Sequence, residues 1–133
     1  MIKLFIGGKG SGKTKTLIEL SNNAAEASKG SVICIEKGSK LKHEITYKAR
    51  LIDTDAYSVY DAAALYGFIA GILASNSDIT DIFVDSALKI CGNDLDAFEK
   101  MLGKLESISK DVNLVMTSSI PVDECPVAIK AYV

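Results

Sequence analysis

Histidine occurs once in this chain, at His43, and arginine once, at Arg50. A single imidazole cannot build a histidine-based metal site. The three cysteines, Cys34, Cys91 and Cys125, are odd in number and none stands at C-x-x-C spacing. That argues against a disulfide framework and a zinc site, and for buried thiols in a reducing, cytoplasmic setting. Long apolar runs are missing too. The longest charge-free stretch, Ala62 to Ser77, is broken by Gly67, Gly71, Ser75 and Asn76. It falls short of the ~20 apolar residues of a spanning helix, so a buried helix and no membrane insertion are expected. Met1 to Ile6 is too short an apolar stretch for a signal peptide. The formal net charge of −2 carries no excess of basic residues, which disfavours a protein that wraps nucleic acid.

What remains is an ordinary globular composition: 133 residues, 48% hydrophobic and 24% charged. That is the size of one domain, residues 1–133, able to bury a core without staples. Ile2 to Ile6 reads as a buried strand stopped by Gly7-Gly8. From Lys13 a helical pattern begins, with Leu17, Leu20, Ala24 and Ala27 on one stripe and Gly30 placed to end it. Ser31 to Glu36 and Ala49 to Asp53 read as strands. Ser58 and Asp61 fit a capping box before a helix striped by Leu65, Phe68, Ile69, Ile72 and Leu73. Asp81 to Asp85 is a further strand. Asn93 or Asp94 can cap a helix striped by Leu95, Phe98, Leu102, Leu105 and Ile108. Val112 to Thr117 is another strand, and beyond Pro121 and Pro126 a last strand is expected over Val127 to Val133. Apolar strands alternating with helices predict an α/β, three-layer sandwich around a mostly parallel sheet.

The chemistry concentrates between the first strand and the first helix. Gly7-Gly8-Lys9-Gly10-Ser11-Gly12-Lys13-Thr14 fits G-x-x-x-x-G-K-[ST] in full, with a strand before it and a helix after it. Glycines let the backbone wrap a phosphate closely, so successive N–H groups form an anion nest. The helix start adds unpaired N–H groups and the positive dipole end. Lys13 brings a full charge to the β- and γ-phosphates. Thr14 offers a hydroxyl to magnesium, which takes few protein ligands. On these residues the chain resembles the P-loop NTPase superfamily. The specific motif content is confined to a few short segments.

The resemblance implies a second feature, the Walker B strand. Ile82-Phe83-Val84-Asp85 fits it, with Asp85 as the magnesium carboxylate. Asp81, at the other end of that strand, is not a candidate. Ser86 stands where many ATPases of the superfamily keep a catalytic glutamate. RecA-like ATPases carry theirs at the end of the strand after the phosphate-loop helix, and here that strand ends in Glu36. The RecA-like branch therefore implies Glu36 as the residue that accepts a hydrogen bond from attacking water. It also implies a polar sensor at Thr117 or Ser118. GTPases are disfavoured, since neither N-K-x-D nor D-x-x-G occurs. A small-molecule kinase would want several lid arginines, and Arg50 is alone; in an oligomer Arg50 can instead serve as an arginine finger, or it is a strand-edge residue.

Lys37 to Arg50 holds Lys37, Lys40, Lys42, Lys48 and Arg50 against Glu44, a local excess of positive charge. It emerges where strand carboxyl ends gather. A phosphate-facing flap, a nucleic-acid contact, a partner surface and a mobile solvated loop are the readings. Tyr47 alone gives thin support for base stacking. The expected function is magnesium-dependent ATP binding with RecA-like hydrolysis. Gly8, Lys9, Gly10, Ser11, Gly12, Lys13 and Thr14 hold the nucleotide, Thr14 and Asp85 hold the metal, and Glu36 and Lys13 are the catalytic candidates. A kinase and a non-catalytic, nucleotide-dependent interaction module are the alternatives. A partner protein or second copy is compatible with this reading.

Overall fold

A computed structural model describes residues 1–133. Five strands form one sheet: β1 (Ile2–Ile6), β2 (Ser31–Glu36), β3 (Ala49–Asp53), β4 (Ile79–Val84) and β5 (Asn113–Ser118). All are parallel, in the order β1-β5-β4-β2-β3. The helices are α1 (Lys13–Ala27), α2 (Ala62–Ser75), a short α3 (Ala87–Ile90), α4 (Leu95–Ile108) and α5 (Val127–Lys130). No helix is long and apolar enough to cross a membrane.

Strand side chains alternate between two faces. Leu4, Ile33, Ile35, Ile82, Val84, Leu114 and Met116 point into a large cluster with Leu65 and Ile69 of α2 and Phe98, Leu102 and Leu105 of α4. Val32, Cys34 and Phe83 point the other way, into a smaller cluster with Leu17 of α1. The sheet is thus sandwiched between helix layers. All three cysteines are buried and unpaired, and burial pushes the thiols of Cys34 and Cys91 up to about 12.

Four local expectations change. The inner face of α1 is Leu17, Ser21, Ala24 and Ala25, while Leu20 is 38% exposed and Ala27 faces solvent. Leu17 packs in one cluster with Val32 and Cys34, and the buried face also accepts a serine, Ser21. The helix ends at Ala27, with the Ser28 N–H bonded to Ala24 O, before Gly30 is reached. Gly30 serves a different need: a Cβ there would lie 2.0 Å from the carbonyl oxygen of Asp78. The cap of α2 is Asp61, whose Oδ1 accepts from the Ala64 N–H at 2.8 Å. Ser58 instead takes a left-handed conformation that closes a 3-10 turn, Thr54–Tyr57. The tail does not add a strand. Pro126 starts a single helical turn, since its carbonyl accepts from both Ile129 and Lys130 N–H groups, and only Ile129 of that turn is buried.

Candidate functional site

Parallel strands deliver all their carboxyl ends to one edge of the sheet, and residues of like parity to one face. One step beyond the paired residues Ile35, Val84 and Met116 come Glu36, Asp85 and Thr117, on three adjacent strands and on the α1 face. The loop that joins β1 to α1 closes over the same edge. Gly12 precedes the helix at φ 88°, a left-handed conformation that a side chain resists. The N–H groups of Gly10, Gly12, Lys13 and Thr14 make no hydrogen bond within the protein. They are the orphan donors of a helix start, gathered within one turn.

Lys13 Nζ donates to Gly8 O at 2.9 Å and to Ser11 Oγ at 3.3 Å, so the ammonium lies over its own loop. Thr14 Oγ1 donates to Asp85 Oδ1 at 3.1 Å. Thr117 Oγ1 donates to the same oxygen at 2.8 Å and accepts from the Ser86 N–H at 2.8 Å. Ser118 points to the opposite face, where its hydroxyl accepts from the Leu88 N–H. Of the two sensor candidates, only Thr117 is therefore at the site. Thr14 and Asp85 present two hard oxygens side by side. That donor set suits magnesium, which binds through one or two protein oxygens and keeps its waters.

These residues border a cleft of about 490 Å³. Lys9, Gly10, Lys13 and Thr14 form one wall; Ser86, Leu88, Lys89 and Asn93 around α3 form another; Thr117 and Ser119 lie at the end of β5, and Lys40 closes the rim. Four ammonium groups line the cleft and no carboxylate does. None of the four is in an ion pair, since the two salt bridges are Lys37–Asp55 and Lys48–Glu26. The cleft thus presents positive charge as well as unpaired backbone donors.

Glu36 is 2% exposed and does not line that cleft. Its Oε1 accepts from the N–H groups of Lys40 at 2.9 Å and Leu41 at 3.3 Å, and its Oε2 from Leu41 at 3.1 Å. Burial pushes its carboxyl above the ordinary range; the Leu41 and Lys40 amides pull it back, and the charges of Asp85 and Asp53 push it up again. It borders a second, more apolar hollow of about 410 Å³ with Lys42, Ile45, Tyr47 and Leu51.

The segment after Glu36 is strapped to the domain. Leu41 and Ile45 are buried against Leu17, and Asn22 of α1 bonds the backbone at Glu44 and Thr46. Gly38 N–H donates to Asp53 Oδ1 at 2.7 Å. Arg50 is exposed on the edge strand β3 and lies outside the cleft. Asp81 is bonded to Asn113 and Thr80, well back from Asp85 along β4.

Of the residues singled out in the sequence, Lys9, Gly10, Lys13, Thr14 and Thr117 border this cleft and Asp85 is bonded to Thr14 and Thr117; Lys89 and Ser119 also border it without having been singled out, and Lys40 alone of its segment does so. The helix carrying Lys89 has four residues, too few to show a period. No protein-family model and no curated protein matches the chain.

Proposed function

We propose that this chain is a magnesium-dependent ATP-binding domain of P-loop NTPase type, in the RecA-like branch. One observation carries the reading: unpaired loop N–H groups, the Lys13 ammonium and the Thr14 hydroxyl converge on a single cleft lined by four lysines, and Thr14 is bonded to the Asp85 carboxylate. The loop amides bind the inner phosphates, and Lys13 exchanges Gly8 O for a phosphate oxygen. Thr14 and Asp85 would hold magnesium, which would supply positive charge against the phosphates. Thr117 fixes the Asp85 carboxylate by its hydrogen bond. ATP is preferred over GTP because the chain has no guanine-reading N-K-x-D segment.

Hydrolysis needs a base for water, and Glu36 is the candidate on the RecA-like pattern. Against this stands the occupation of both Glu36 oxygens by loop amides. That favours the second reading, a nucleotide-dependent interaction module whose own turnover is slow. A kinase lacks its lid arginines.

Calorimetric titration with ATP, GTP and their diphosphates, each with magnesium, tests the binding reading. Lys13→Ala is expected to lose nucleotide affinity and keep its fold, because the side chain fills no core space. Unchanged affinity in a folded variant overturns the reading. Phosphate release, alone and with DNA, RNA or cell extract added, separates a hydrolase from a module, and a phosphoryl acceptor is required for a kinase.

A further inference from the structure

The basic segment between β2 and β3 divides its cations unequally. Lys37 and Lys48 are engaged by Asp55 and Glu26. Lys42 borders the apolar hollow, and Arg50 is on the outer strand. Lys40 alone borders the cleft that Lys9, Lys13 and Thr14 line. Its side chain is exposed and in no ion pair, while its backbone is among the most tightly held of the segment. The Lys40 N–H is bonded to Glu36 at 2.9 Å, and the next residue, Leu41, is bonded twice to the same carboxylate and is 3% exposed. Two residues earlier, Gly38 is tied to Asp53.

A buried carboxylate is costly unless hydrogen-bonded, and Glu36 finds its donors in these amides. The carboxylate and the loop therefore hold each other in one arrangement. The fixed backbone roots the Lys40 stem at the rim of the cleft, so its ammonium stays within reach of the cleft.

We propose that Lys40 contacts the terminal phosphate of a nucleoside triphosphate in this cleft, and that Glu36 is the residue that positions it, acting through the loop backbone. This rests on the nucleotide reading above. The loop amides and Lys13 hold the inner phosphates. Lys40 comes from the segment between β2 and β3, apart from the glycine-rich loop, and meets the phosphate that a diphosphate lacks.

The experiment is calorimetry on the full chain with magnesium-ATP and magnesium-ADP at one ionic strength. The variants are Lys40→Ala, Lys42→Ala, Glu36→Gln and the double variant Glu36→Gln with Lys40→Ala. Lys40→Ala is expected to weaken ATP about tenfold or more, as loss of one charge-assisted contact does, and to change ADP far less. Lys42→Ala removes the same charge two residues along the chain, in the other hollow, and should leave both affinities near wild type. Glu36→Gln should weaken ATP selectively as well, and the double variant should lose less than the product of the two single losses, because both act on one contact. Should Glu36→Gln fail to fold, Glu36→Asp replaces it; it keeps the charge, shortens the reach and is expected to show the same selective loss. Equal effects of Lys40→Ala and Lys42→Ala, or equal losses for ATP and ADP, overturn the Lys40 assignment. A Glu36→Gln protein with full ATP affinity overturns the positioning role. If the wild-type chain binds neither nucleotide, the nucleotide reading falls and this inference with it; if the wild type binds and Lys13→Ala does not, failure at Lys40 belongs to this inference alone.

Discussion

Asp85 joins more partners at the cleft than any other side chain: Thr14, Thr117 and Ser86 all bond its carboxylate. On the reading proposed above, its effect on nucleotide runs through magnesium. Asp85→Asn is therefore expected to weaken ATP binding about tenfold or more in magnesium and to change it little in excess chelator. Calorimetry in both conditions checks this, and equal losses would mark structural damage. Glu36 carries a different signature. Its carboxyl is raised above 4.5, chiefly by burial. The folded state thus holds its proton at pH values where the unfolded chain has released it. Its contribution to stability is present below the unfolded value and declines as pH rises through the window just above it. Urea unfolding of wild type and Glu36→Gln across the acid range should show the wild type losing ground to the variant there, whatever their constant offset. A flat difference would mean that the carboxyl is not perturbed. Both residues were legible in the sequence because each ends an apolar strand; what Glu36 bonds was not, since its donors are backbone groups of a segment without periodicity.

At the scale of elements, strands and helices followed from apolar patterning wherever a run was long. β1, β2, β4 and β5 each hold three or four consecutive apolar residues, and α2 and α4 carry stripes of several turns. The misses lie where two rules compete. Ser58 and Asp61 both satisfy a capping pattern, and the three alanines after Asp61 let the helix begin there. Asp61→Ala should cost about 1 kcal/mol in chemical denaturation, the usual effect of losing an N-cap. Ser58→Ala should change stability by less than about 0.5 kcal/mol, and the reverse order would restore the serine cap. The β2–β3 segment was hardest to read. Leu41 and Ile45 are its only buried apolar anchors among charged neighbours, and their partner Leu17 lies on another element. Of the four readings of this segment, the mobile solvated loop is the one its packing on α1 goes against.

At the scale of the molecule, the order of the five strands was beyond the sequence, because parallel pairing leaves no local mark comparable to a hairpin turn. The two faces of the sheet are unequal: 22 buried residues gather on the side of α2 and α4, but only 7 on the side of α1. Local opening is governed by how much buried contact must be broken. Amide protons of α1 and of the strap from Lys37 to Lys48 should therefore exchange with deuterium sooner than those of α2 and α4, well before global unfolding. Native-state exchange followed by mass spectrometry reads this directly, and equal rates on both faces would contradict it. The weaker face is also the one that carries the glycine-rich loop, Thr14 and, through the strap, Lys40. A bound nucleotide would thus slow exchange most on the face that opens most readily, and the occupancy of the cleft would be written in the protection of α1 rather than in the already stable half of the domain.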